Sequence, residues 1–162
     1  MWLIQEAPWK LRIASFYEQY EFSLLSIDLP KAVKAIAEEE FVDRVRTELV
    51  SRLGAGGPLK LIDIAAHHLV PNQTIRIHND YLGGEETHRF LIQVNQGWSI
   101  DNGGLLMLFS SDRPDDVEAV IEPTHRSGFG FRICESSFHA VSKIREGDRF
   151  TLVYTFRETP TC

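Results

Sequence analysis

From Leu59 onward the chain is written in short apolar or alternating stretches, each closed by Gly, Asn, Asp or Pro. They read LKLIDIAAHHL, QTIRIHND, RFLIQVNQGW, GGLLMLFSS, VEAVIEP, GFGFRIC, FHAVSKI and DRFTLVYTF. Successive side chains on a strand point to opposite faces, so alternation at this length reads as strand. Seven or eight such strands at roughly ten-residue spacing predict a β-sandwich or barrel. The total of 162 residues fits one domain with a core of its own.

Ahead of Leu59 the pattern is mainly helical. Val33, Ile36, Ala37, Phe41, Val45, Leu49 and Leu53 recur at three- and four-residue steps, which is one face of a helix. Asp28 is the expected N-cap, Pro30 an early helical position, and Gly54, Gly56, Gly57 and Pro58 the stop. The stretch holding Phe16, Tyr17, Tyr20 and Phe22 fits helix or strand equally. Residues 1–58 therefore read as a mostly helical support and 59–157 as the β core of one α+β, mainly β domain. The helix is expected to pack on one sheet.

Charge narrows the partners. The formal net charge is −6, which argues against a nucleic-acid ligand wanting a basic face. No apolar run approaches the roughly 18 residues of a membrane span. The first residues, MWLIQEAPWKLR, lack the form of a secretory signal. The two cysteines, Cys134 in an expected strand and Cys162 at the end, suggest a reducing cytoplasm rather than a disulfide framework. Cys134 reads as a small core residue.

The stretch TIRIHNDYLGG carries the first chemical signal. If Thr74–Ile77 is strand, His78 and Asp80 share one face and Asn79 points away. An imidazole beside a carboxylate is half of a metal site, although a surface turn would also produce it. A second histidine, His139, lies near a strand end well downstream, and Arg149 follows ten residues later. Arg149, Thr151 and Val153 share one face of DRFTLVYTF. An arginine facing a sandwich interior needs an anion. Asp148 or Glu146 could supply it, and so could a small dicarboxylate co-substrate. Two imidazoles and one carboxylate occupy one face of an octahedral ion and leave three positions open, the arrangement of non-haem Fe(II) oxygenases.

The order HND…H…R, together with HRFLIQVNQGW, NGGLLML, IEPTHRSGFGFRICESSFHAV and EGDRFTLVYTF, resembles the 2-oxoglutarate- and Fe(II)-dependent oxygenases, particularly their prolyl-4-hydroxylase-like branch. The likeness runs from about Leu61 to Phe156. It implies a double-stranded β-helix, a cupin-like jelly roll. It implies that His78, Asp80 and His139 bind iron and that Arg149 binds the distal carboxylate of 2-oxoglutarate. It also implies O2 as oxidant, ascorbate as a candidate accessory, and hydroxylation of an unactivated C–H bond with decarboxylation of 2-oxoglutarate to succinate. The branch acts mostly on amino-acid side chains in peptides or proteins. A free amino acid or small natural product is the alternative substrate, and a cupin-like metal enzyme without 2-oxoglutarate the alternative class. Two positions depart from the pattern. Gln93 stands where the branch often has a Tyr holding 2-oxoglutarate, and Leu105 where it often has Glu after the paired glycines. Gln93 is expected to donate a hydrogen bond in the same place.

Five further features are expected near or around the site. His67 and His68 are adjacent, so only one can face inward. His88 and His125 are expected in solvated loops. Arg89 fits a structural anchor or a substrate contact. The Tyr81–His88 loop, with Gly83 and Gly84, suits a mobile lid, and Trp98 belongs to the core.

Overall fold

A computed structural model describes residues 2–159 of the chain; Cys162 lies outside the described residues. Every stretch read as strand after Leu59 forms one: β3 (Leu59–Leu69), β4 (Ile75–His78), β5 (His88–Gln93), β6 (Leu106–Phe109), β7 (Val117–Ile121), β8 (Gly128–Arg132), β9 (His139–Val141) and β10 (Arg149–Glu158). Two earlier strands, β1 (Lys10–Ile13) and β2 (Glu18–Ser23), settle the ambiguous aromatic stretch as an antiparallel hairpin. The strands form two sheets, ordered β1-β2-β3-β10-β5-β8 and β4-β9-β6-β7. The sheets meet where Tyr17 bridges Ile75 and Arg76 N donates to Phe16 O at 2.8 Å. This is the expected double-stranded β-helix.

The first third is less helical than its periodicity suggests. Helix α1 (Trp2–Gln5) precedes the hairpin, and the expected single helix from Asp28 to Leu53 is broken. Pro30 sits at the N-cap position of the short α2 (Lys31–Lys34), a 3-10 turn spans Ala35–Ala37, and Glu38 is extended (φ −75°, ψ 147°) before α3 (Glu39–Leu53). Asp28 caps none of these helices. The interruption frees the Ile36 carbonyl, which accepts a hydrogen bond from Tyr154 Oη at 2.8 Å. Apolar spacing runs through the break unchanged, so the sequence gives no sign of it. At the far end Gly54 stops α3 as expected, with φ +70°.

Val42, Val45 and Leu49 of α3 are buried against Phe22, Ile64, Ala66, Leu152, Tyr154 and Phe156 of the larger sheet. Each such buried side chain contributes about 1.5–3 kcal/mol of transfer free energy. This layer lies outside the sandwich and leaves the space between the two sheets for the site. Strand β10 serves both. Phe150, Leu152, Tyr154 and Phe156 alternate with Arg149, Thr151, Val153 and Thr155, and the second set lines a cavity.

Two local expectations fail. Cys134 is exposed and lies beyond β8. Ser137 Oγ accepts from Cys134 N at 3.1 Å and closes a turn there, and the neighbouring Ile133 takes the buried position. His88 is not a loop residue. It opens β5, pairs with Phe156, and is fully buried on the α3 side. Among the described residues no helix is long and apolar enough to cross a membrane.

Candidate functional site

His78 ends β4 and His139 begins β9, and the two residues are direct partners in the sheet. Their ring centroids stand 4.2 Å apart. Asp80 joins them by a different route from strand alternation. It lies past the end of β4 with φ +58°, a left-handed turn that brings the carboxylate back over the strand end. Asn79 holds that turn from outside. Its Nδ2 donates to Glu135 O at 2.9 Å, its Oδ1 accepts from Tyr81 N at 3.1 Å, and its carbonyl accepts from Ser137 Oγ at 2.8 Å. The segment before His139 and the turn around Asp80 are thus laced together.

The hydrogen bonds behind each imidazole set its role. His78 Nδ1 lies 2.9 Å from Arg76 O and His139 Nδ1 lies 2.8 Å from Ser137 O. A carbonyl only accepts, so each Nδ1 carries the proton and each Nε2 is left with a lone pair in the neutral ring. Those Nε2 atoms point at Asp80, at 3.3 Å from His78 and 3.1 Å from His139. Three acceptors turned on one another need a cation between them. One ligand atom from each residue lies within 4.8 Å of the others, compatible with a shared ion at roughly 2.0–2.2 Å. Phe16 stacks on His78 at 4.4 Å and Phe131 meets His139 edge-on at 5.0 Å, so both rings are held from behind. Burial alone would raise the Asp80 carboxyl. The His139 and His78 imidazoles and the Arg89 guanidinium beside it outweigh that and hold the group well below the carboxylate range.

Arg149 lines the same cavity, of about 400 Å³, as these three residues. It is 3% exposed, and its Nε has no partner. Burial lowers its pKa to about 10, so it stays charged at neutral pH. Among the described residues no carboxylate lies within ion-pair distance of it, since Asp148 turns to His68 Nε2 at 3.4 Å. A buried cation without a counter-ion is costly, and the open cavity beside it is where an anion would fit. Two devices seat Arg149. Asn95 Oδ1 accepts from Phe150 N at 2.6 Å at the start of β10. Gly104, with φ +64°, lets the chain pass so close that a Cβ would stand 2.9 Å from Arg149 Cδ.

Residues 64–157 match the family model described as the 2OG-Fe(II) oxygenase superfamily. The chain belongs to the 2OG-Fe(II) oxygenase superfamily. Membership implies Fe(II), 2-oxoglutarate and O2. In fold, this oxygenase is similar to a prolyl-4-hydroxylase from Pseudomonas putida, with TM-score 0.66 and 23% identity over 92% of this chain and 77% of that one. It is also similar to a prolyl hydroxylase from Trichoplax adhaerens, solved with a hypoxia-inducible-factor peptide fragment (TM-score 0.78, 15% identity, 96% and 73% of the two chains). A 2OG-Fe(II) oxygenase family oxidoreductase from Burkholderia pseudomallei gives TM-score 0.72 and 14% identity over 97% and 76%. By sequence, no curated protein matches.

The remaining residues of the oxygenase site divide by sheet face. His67 pairs with Thr151 and lines the cavity, while His68 pairs with Phe150 and stacks on it at 4.4 Å on the opposite face. Burial chiefly, with Arg89 and Arg149 nearby, lowers the His67 pKa to about 3, so it is neutral. Gln93 does not border the cavity directly. It is 4% exposed, and its Oε1 accepts from Thr151 Oγ1 at 2.9 Å and Asn95 Nδ2 at 3.3 Å. Arg89 is ion-paired to Asp80 and, at 2.6 Å, to Glu86 of the 81–87 loop. Leu82 and Glu86 of that loop also line the cavity. Trp98 packs with Leu69, Val141 and Ile144, as expected of a core residue. The N-terminal hairpin adds lining residues that were not anticipated: Arg12, Phe16, Tyr17, Gln19 and Glu21. The alternation of Tyr17, Gln19 and Glu21 against Tyr20 and Phe22 was the available signal.

Proposed function

We propose that the protein is an Fe(II)- and 2-oxoglutarate-dependent hydroxylase of an unactivated C–H bond, acting on an amino-acid side chain in a peptide or protein. Residues 59–157 are its catalytic core, and the preceding segment supports the larger sheet in the same domain. His78, Asp80 and His139 hold the iron, and Arg149 holds the distal carboxylate of 2-oxoglutarate. Bound there, the iron and 2-oxoglutarate would supply O2 activation, in the balance R–H + O2 + 2-oxoglutarate → R–OH + succinate + CO2, with ascorbate as an accessory reductant.

The chain's own groups have defined tasks. Arg76 O and Ser137 O keep both Nε2 lone pairs aimed inward. Arg89 occupies one Asp80 oxygen, which favours binding of the ion through the other. Gln93 fixes the Thr151 hydroxyl beside Arg149 and so acts on the co-substrate pocket indirectly. The single observation that carries the reading is Arg149, a buried cation without a partner across one cavity from three convergent metal-ligand side chains. A cupin-type enzyme without 2-oxoglutarate would leave that charge unanswered. A peptide substrate is favoured by the Trichoplax adhaerens relative, whose structure holds a peptide fragment.

The test is succinate release from 2-oxoglutarate on adding Fe(II) and air, with melting temperature followed in Mn(II) and 2-oxoglutarate. Both ligands should raise the melting temperature, since each binds the native state. Metal-independent behaviour in both assays would overturn the reading.

A further inference from the structure

The site cavity contains orphaned polar atoms of both kinds. Three of the buried side-chain atoms without a hydrogen-bond partner belong to its lining: Nε of Arg149, Nε of Arg89 and Oε1 of Gln19. The first two are donors and the third is an acceptor. Gln19 lies on β2 and is 2% exposed. Its amide orientation is set by its neighbour, because Nε2 donates to Glu21 Oε2 at 2.8 Å. A flipped amide would turn oxygen against carboxylate, so Oε1 is the atom left over.

That atom is not suited to 2-oxoglutarate, which presents acceptors at both ends. It wants a donor, and a buried acceptor left unmatched carries a desolvation cost. No donor in the wall reaches it. Arg12, its partner across the β1–β2 ladder, is largely exposed and extends to Glu21 Oε1 at 3.4 Å. Glu21 places a carboxylate directly behind Gln19, and His67 Nε2 lies 3.9 Å from it. The hairpin wall therefore holds a fixed, unmatched carbonyl oxygen in the lining of the cavity that holds His78, Asp80 and His139.

We propose that Gln19 is a substrate-recognition residue: its Oε1 accepts a hydrogen bond from a nitrogen-bearing side chain of the substrate, an ammonium or primary amide, with Glu21 fixing the acceptor. The assignment rests on the hydroxylase reading above.

The experiment measures binding of capped Gly-Xaa-Gly peptides to the Mn(II)- and 2-oxoglutarate-loaded protein by calorimetry, with Xaa as Lys, Gln, norleucine or Pro. Lys or Gln should bind about tenfold more tightly than norleucine, the effect of one matched hydrogen bond. A Lys preference identifies an ammonium and a Gln preference an amide. Gln19→Met should bring that ratio to about one, which a general folding defect would not do. Equal binding of Lys, Gln and norleucine, preference for Pro, no binding by either nitrogen-bearing peptide, or an unchanged ratio in Gln19→Met would each overturn the proposal. If the variant does not fold, the wild-type ratio still decides. Failure of Mn(II) and 2-oxoglutarate to bind at all would instead be the failure of the hydroxylase reading.

Discussion

The two faces of β10 make different use of the same ten residues. One face, Phe150, Leu152, Tyr154 and Phe156, is buried against β3, β5 and α3 and carries the core. The other, Arg149, Thr151, Val153 and Thr155, borders the cavity and carries a charge with no partner. Burial is nearly complete on both, so exposure does not distinguish them. What separates them on β10 itself is an unanswered charge. On the core face Tyr154 Oη finds the Ile36 carbonyl, whereas the cavity face is left short of an anion. A folded protein tolerates that shortage where a ligand is to fill it.

Substitutions can break this contrast, beginning at the cavity. Asp80→Ala or His139→Ala should abolish succinate release while the protein still melts cooperatively, because each removes a donor of the proposed metal set and little of the core. Normal succinate release by Asp80→Ala would remove that residue from the ligand set. Phe156→Ala should do the reverse. It empties a fully buried site, at a cost of about 3–5 kcal/mol in urea unfolding. Intact stability would mean that the α3 layer is not the main core. Arg149→Ala tests the two faces against each other. Affinity for 2-oxoglutarate should fall by about 2–5 kcal/mol, yet stability without ligand should hold or rise, since an unpaired buried charge is gone. A large loss of ligand-free stability would make Arg149 structural.

The division between the faces was legible in the sequence wherever strict alternation held. It separates Arg149 from Phe150 and admits only one of His67 and His68 to the interior. His78, His139 and Arg149 were singled out by residue type and spacing, and the strands around them bring them to one cavity. Asp80 was placed beside His78 for an incomplete reason. Strand alternation placed it correctly, but a left-handed turn delivers it, and a non-glycine residue gives no advance sign of positive φ. The break before α3 was hidden because Ile36, Ala37 and Phe41 keep helical spacing through it. The hairpin wall was hidden because its aromatics suit helix and strand alike, and only pairing with β3 decides between them. Cys134 and His88 were misplaced by one and the same cause. The sequence shows where a strand is centred better than where it ends.

His88 supplies the smallest test, on the core face. It pairs with Phe156, is fully buried, and shares a 2.9 Å hydrogen bond with Thr87 Oγ1 through Nδ1. Burial chiefly pushes its pKa down, so the folded protein keeps it neutral where the unfolded chain does not. Below the unfolded value of about 6.5 the unfolded state binds the extra proton, and stability falls as pH falls from 7 to 5. His88→Leu should flatten this slope in urea midpoints measured across that range. It should not remove the slope, because His67 on the cavity face, lowered to about 3, titrates with the same sign. A slope unchanged by His88→Leu would show that the proton uptake belongs to the cavity face alone, and the two faces would then differ in their response to pH as well as in their partners.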